Sequence, residues 1–201
     1  MKRALIIFIK NPAEGEVKTR LAATVGNHAA LCIYNKLVTH TKTIASGVSA
    51  DKYLFYSSHI DVNDEWNRAV FAKELQTGNH LGEKMRNAFD SLFNKGYKQV
   101  AIIGSDCPDL TTDLVEQAFK ELVHSDIVIG PATDGGYYLL ALKKLFPEIF
   151  ENIAWSTNEV LKQTLTICNR INTTFHLLPV LSDVDVAEDI IGREEFFSSK
   201  K

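Results

Sequence analysis

Apolar and polar positions along the chain fall into two kinds of block. Short continuous apolar runs bounded by turn residues read as strands buried on both faces. Ala4 to Ile9, Gln99 to Ile103 and Asp126 to Gly130 are of this kind, and Lys52 to Ser57 extends the series. Ala69 to Phe71 and Phe175 to Leu181 are weaker strand candidates, with Pro179 marking an edge or a strand end. Between them lie longer segments whose apolar positions recur every three or four residues, the spacing of a helix with one buried face. One carries Ala29, Ala30, Ile33, Leu37, Val38, Thr41, Ile44 and Ala45 and stops at Ser46-Gly47. A second carries Leu81, Met85, Ala88, Phe89, Leu92 and Phe93. A third carries Leu114, Val115, Ala118, Phe119, Leu122 and Val123 behind the start signal Thr111-Thr112-Asp113. A fourth carries Val160, Leu161, Thr164, Leu165 and Cys168, with Ser156 and Glu159 at capping-box spacing. Asp134-Gly135-Gly136 is a turn signal between Asp126–Gly130 and Tyr137–Leu142, which predicts a hairpin. Ser58 to Asn67 reads as a polar loop anchored by Trp66, and Pro147 to Ile153 as a connector. Strands alternating with helices predict an α/β fold.

In open α/β sheets ligands bind beyond the carboxyl ends of the strands. The strand Gln99 to Ile103 runs into Gly104-Ser105-Asp106-Cys107-Pro108, where Gly and Pro stop the strand. Asp106 is therefore placed where a ligand or metal is expected, although Asp also serves turns by accepting loop N–H groups. The first strand runs into a loop carrying Lys10, Lys18 and Arg20. A compact ammonium and a bidentate guanidinium suit phosphate oxygens. Neither GxxxxGK[ST] nor GxGxxG is present, and pairing with Glu14 and Glu16 would equally explain a basic surface loop. The glycines of Gln76 to Met85, Gly82 among them, let backbone approach a base or sugar. Asp134, Gly135, Gly136 and Tyr137 can line a sugar or acceptor pocket as well as a hairpin. In extended backbone the carboxylates of Asp183 and Asp185 point the same way and, with Asp106, can hold a hard divalent cation. Asp185 and Glu188 also have helix-cap spacing.

Composition narrows the classes. At 201 residues, with 45% hydrophobic and 23% charged, one well-buried domain is expected over 1–201, with its core at about 4–195. A net charge of −3 gives no electrostatic sign of nucleic-acid binding. Cys32, Cys107 and Cys168 are far apart, without a CxxC pair, which argues against a disulfide framework or a Cys-rich zinc site. No apolar run is long enough to span a membrane, and the N-terminal run is too short for a signal peptide, so a cytoplasmic protein is expected. His40 reads as a helix-surface residue, Cys168 as an inert core thiol, and Ser198 to Lys201 as a frayed tail.

Taken together, Phe8-Ile9-Lys10-Asn11-Pro12, Gly15, Val17 to Leu21, Gly104 to Pro108, Pro131 to Leu140, Trp155-Ser156-Thr157 and Leu181 to Asp185 resemble the glycosyltransferase-A-like family of nucleotide-diphospho-sugar transferases. The nearest likeness is to the bacterial branch labelled arsenosugar-biosynthesis glycosyltransferase, similar to phospholactate guanylyltransferase and more distantly to the molybdenum-cofactor guanylyltransferases. The resemblance implies a three-layer α/β/α domain with a mixed, mainly parallel sheet. It implies that the first loop, Lys10 to Arg20, contacts nucleotide phosphates; Lys10, Lys18, Arg20, Gly82, Ser105 and Asp106 are the nucleotide-side candidates. It also implies Mg²⁺ or Mn²⁺ shared by Asp106 and Asp185. Asp134, Gly135, Gly136, Tyr137 and Trp155 are the acceptor-side candidates, and Asp106, Asp134 and Lys18 the catalytic ones. The Gly-rich first loop of the molybdenum-cofactor enzymes is missing, and Lys18-Thr19-Arg20-Leu21 is nearer the phospholactate branch. The expected activity is metal-dependent glycosyl transfer from a nucleotide-sugar to a small acceptor. Nucleotidyl transfer releasing pyrophosphate is the first alternative and a non-catalytic nucleotide-binding module the second. Base, sugar, acceptor and oligomeric state are not legible at this level.

Overall fold

The computed structural model describes residues 1–197. The apolar runs become strands: β1 (Arg3–Ile9), β2 (Asp51–Tyr56), β3 (Phe71–Leu75), β4 (Gln99–Ile103), β5 (Ile127–Pro131), β6 (Tyr137–Leu142) and β7 (Phe175–Leu177). They form one sheet in the order β3-β2-β1-β4-β6-β5-β7. Neighbours pair in parallel except β6, which is antiparallel to both β4 and β5. The helices are α1 (Thr19–Val25), α2 (Asn27–Gly47), α3 (Leu81–Asn94), α4 (Thr112–Glu121), α5 (Val160–Arg170) and α6 (Glu194–Phe197).

Side chains alternate across a strand, so β1 feeds two cores. Leu5, Ile7 and Ile9 pack on one face with Ile44 and Ala45 of α2 and Val115, Ala118 and Phe119 of α4. Ala4 and Ile6 pack on the other with Met85, Ala88, Phe89 and Leu92 of α3 and Val160, Ile167 and Cys168 of α5. This is the expected three-layer α/β/α arrangement. All five residues of β4 are buried, as a central strand covered on both faces requires.

The expected hairpin is β5–β6, with a register shift at Gly130/Pro131. The Thr111 side chain caps α4 by accepting the Leu114 N–H at 3.2 Å. Five local expectations need correction. The third strand begins at Phe71, not Ala69, because Asn67 accepts the N–H groups of Val70 and Phe71 and holds 68–70 in a turn. The last strand is only Phe175–Leu177, with Leu181 rejoining the sheet through one bridge to Ala132. Ser156 caps nothing: its φ is 63°, and α5 starts at Val160 after Glu159. Val123 is exposed, because α4 ends before it and the chain turns outward there. His40 is more than a surface residue: its Nε2 lies 3.1 Å from the Leu110 carbonyl and its ring meets Phe196 edge-on. The expected frayed tail from Ser198 lies outside the described residues. Gly26 (φ 86°) makes the sharp turn between α1 and α2, a conformation that costs glycine little.

Candidate functional site

The carboxyl ends of β1, β4, β5 and β7 and the start of β6 share one edge of the sheet. A cavity of about 570 Å³ opens there. The β1–α1 loop forms one wall and is fixed from beneath. Tyr34 Oη on α2 accepts the Lys10 N–H and donates to the Lys10 carbonyl, both at 2.8 Å. Asn11 is buried: its Nδ2 donates to the His59 carbonyl at 2.8 Å, and its Oδ1 accepts from the Ser58 N–H at 3.1 Å. The loop ends at Lys18, whose backbone is left-handed (φ 48°, ψ 45°), an uncommon conformation for a residue with a Cβ.

That turn sends the Lys18 side chain inward, where it is only 5% exposed. Its Nζ lies 2.5 Å from Asp106 Oδ1 and 3.3 Å from Asp185 Oδ1. Arg20, well exposed, reaches Asp185 Oδ2 at 3.7 Å. Lys18 and Arg20 therefore pair with Asp106 and Asp185. Glu14 instead lies 3.9 Å from His28.

Asp106 and Asp185 are brought together by backbone. The Val184 N–H donates to the Asp106 carbonyl at 2.9 Å, and the Leu181 N–H donates to the Pro131 carbonyl at 3.1 Å. The Asp189 carboxylate accepts the N–H groups of Asp185 and Val186 at 2.8 and 2.9 Å. Asp189 is thus the capping acid of the short 3-10 turn Ala187–Ile190, correcting the Asp185–Glu188 spacing argument. Asp185 is left to face Lys18.

Asp183, which the Asp-Val-Asp spacing offers as a cation ligand, is missing from the pair Asp106 and Asp185 that the resemblance implies. It lines the same cavity, and its buried Oδ1 has no hydrogen-bond partner. Burial, reinforced by the charges of Asp106 and Asp134 and partly offset by Lys18, pushes its carboxyl up to about 7. The Asp-Val-Asp spacing was the available signal. Gln76 has no site role in the sequence reading. It lines the cavity while its Nε2 donates to the carbonyls of Ile9 and Phe55, both at 3.1 Å.

The nucleotide-side candidates Lys10, Lys18, Arg20, Ser105 and Asp106 all line this cavity, and Gly82 does not. A Cβ on Gly82 would fall 2.2 Å from Trp155 Nε1, so Gly82 leaves room for the indole. On the acceptor side, Asp134, Gly136, Tyr137 and Trp155 line the cavity and Gly135 does not. Gly135 (φ 88°) closes the turn, and a Cβ there would meet the Asn158 backbone at 2.2 Å. Asp134 Oδ1 accepts the Gly136 N–H at 2.8 Å. Tyr137 and Trp155 meet edge-on at 6.5 Å, and burial raises the Tyr137 phenol well above its usual range.

Among the described residues no three His, Cys, Asp or Glu side chains are grouped to hold a metal unaided. Two carboxylates converging on one ammonium nevertheless fit a hard cation of the Mg²⁺ type, which takes one or two carboxylates and completes its shell with water and substrate phosphate. No described helix is long and apolar enough to cross a membrane.

Solved structures place this fold. A protein from Desulfovibrio desulfuricans G20, provisionally named a nucleotide-diphospho-sugar transferase, is 32% identical with a TM-score of 0.88, over 97% of this chain and 88% of its own. CMP:2-keto-3-deoxy-manno-octonic acid synthetase complexed with CTP superposes with a TM-score of 0.59 at 9% identity, over 97% and 98% of the two chains. Glucosyl-3-phosphoglycerate synthase from Mycobacterium tuberculosis, in complex with Mn²⁺, UDP and glucosyl-3-phosphoglycerate, does so with a TM-score of 0.55 at 10% identity, over 95% and 75%. The last two share the fold alone. No functionally curated protein matches the chain. Residues 40–157, more than half of the sequence, match the model of the family DUF2064, described as an uncharacterized protein conserved in bacteria. With the fold of the nucleotide-diphospho-sugar transferases, the chain belongs to the DUF2064 family.

Proposed function

We propose that this protein is an enzyme that transfers a group from a nucleotide-activated donor, most simply a glycosyl group from a nucleotide-sugar to a small acceptor. One observation carries the reading: Asp106, Asp185 and Lys18 converge at the sheet edge, beside Arg20, in a cavity that Asp134, Tyr137 and Trp155 also line. Asp106 and Asp185 hold Mg²⁺ or Mn²⁺ with the donor phosphates. When bound, the metal supplies a Lewis acid that neutralises charge on the leaving phosphate. Lys18 and Arg20 bind the remaining phosphate oxygens, and the buried ammonium, close to the reacting phosphate, is the stronger electrostatic partner of the two. Ser105 and Lys10 flank the nucleotide. Trp155 and Tyr137 offer ring surface to the acceptor, their polar tips being buried, and Asp134 orients the acceptor hydroxyl and takes up its proton.

A thermal-shift panel of nucleoside triphosphates, diphosphates and nucleotide-sugars, each with and without Mg²⁺ or Mn²⁺, tests this on the parent chain and on Asp106→Ala. A nucleotide-sugar at a hundredfold excess over its Kd should stabilise the parent by about 2.7 kcal/mol, with metal only. Asp106→Ala should lose that gain, and equal stabilisation of the variant would overturn the assignment. Nucleotidyl transfer is the second reading, favoured by the CTP complex of a structure with this fold and by the Lys18-Thr19-Arg20 loop. It predicts stabilisation by a triphosphate and pyrophosphate release on adding a phosphorylated acceptor.

A further inference from the structure

Lys18 stands where a cation shared by Asp106 and Asp185 would stand. Its ammonium is within 3.3 Å of a carboxylate oxygen of each, and its side chain is almost wholly removed from solvent. The left-handed backbone that delivers it there is one a side-chain-bearing residue adopts only when its surroundings compel it. A divalent ion taking that point must expel a buried positive charge, which then repels the ion from close range. The expelled ammonium needs a new anion. Asp134 Oδ1 is already held by the Gly136 N–H in its own turn. A phosphate entering with the metal solves both problems, because its oxygens serve the metal and the ammonium together.

We propose that Lys18 is a built-in counter-cation that couples metal binding to donor phosphate: metal alone binds weakly because it must strip Lys18 from both carboxylates, and metal with phosphate binds well because Lys18 transfers to the phosphate. The proposal rests on the metal and phosphate assignments above and adds a positive coupling between the two ligands. It further makes Lys18 the residue whose removal uncouples them.

Mn²⁺ binding by the full chain, followed by electron paramagnetic resonance or calorimetry with and without inorganic pyrophosphate, tests it. Lys18→Met should bind Mn²⁺ alone about tenfold more tightly than the parent, and the gain from pyrophosphate should shrink by a similar factor. Lys18→Gly, which suits the left-handed backbone, should behave the same way and decides the matter if the methionine variant does not fold. Arg20→Met, which removes an exposed charge 3.7 Å from Asp185, should raise Mn²⁺ affinity by no more than about twofold, since water and salt screen it. Equal Mn²⁺ affinity in the parent and both Lys18 variants overturns the coupling and leaves the metal assignment standing. So does an equal gain in Arg20→Met, which would mark a general charge effect. Absence of Mn²⁺ binding in every variant, with or without pyrophosphate, overturns the metal assignment and the coupling with it.

Discussion

Asp183 and Gly82 show how a single residue's meaning depends on its surroundings. Asp183 holds its proton to about pH 7, against about 3.9 for an exposed aspartate. Between those values the folded chain binds a proton that the unfolded chain has released, so stability falls as pH rises from about 4 to about 7 and stays lower above. Asp183→Asn removes that fall. In the presence of a chelator its melting temperature should match or trail the parent at pH 4 and exceed it at pH 8. A difference that does not change with pH would refute the buried-charge explanation. Gly82 makes a purely spatial contribution. A methyl group there would lie 2.2 to 2.6 Å from three atoms of the Trp155 ring. Gly82→Ala should cost about 1–3 kcal/mol by overpacking and shift the Trp155 component of the fluorescence. An unchanged spectrum at unchanged stability would mean the indole has room to move aside.

Elements were legible where their pattern was long and repetitive. The helical stripe from Leu81 to Phe93 became α3, with Ala88, Phe89 and Leu92 buried against the sheet. Phe89 is fully buried and packs with Phe93 and Phe150, so Phe89→Ala should cost about 3–5 kcal/mol in denaturant unfolding. A loss under about 1 kcal/mol would mean the core collapses around the gap. Short elements were less legible because neighbours outside the segment set their limits. Ala69 reads as strand by type, but Asn67 holds the chain in a turn until Phe71. Ser156 and Glu159 have capping-box spacing, but the chain passes Ser156 left-handed, a geometry that no residue type announces. Leu81 belongs to the apolar stripe of α3 yet lies largely exposed at the rim of the cavity.

At the level of the whole molecule, the sheet order is what turns scattered residues into a site. Lys18, Asp106, Asp134 and Asp185 are far apart in the chain, yet all lie at or just beyond the same sheet edge. Because β6 runs antiparallel between β4 and β5, the turn carrying Asp134 returns to the edge where Asp106 already sits. The 32% identical structure spans 97% of this chain, so both cores and the site lie within the shared fold. Residue pattern alone made the α/β class, the buried central strands, the β5–β6 hairpin and the strand-end position of Asp106 readable. These depend on local hydrophobic period and turn chemistry, which neighbouring residues carry within themselves. Only the tertiary structure decided that Lys18 lies between Asp106 and Asp185, that one oxygen of Asp183 is buried without a partner, that Asp189 does the capping, and that Gly82 shapes Trp155's seat rather than the cavity wall. Those outcomes rest on contacts between segments as many as 167 residues apart. Burial and charge proximity arise only when the chain closes on itself, so no window of sequence holds them.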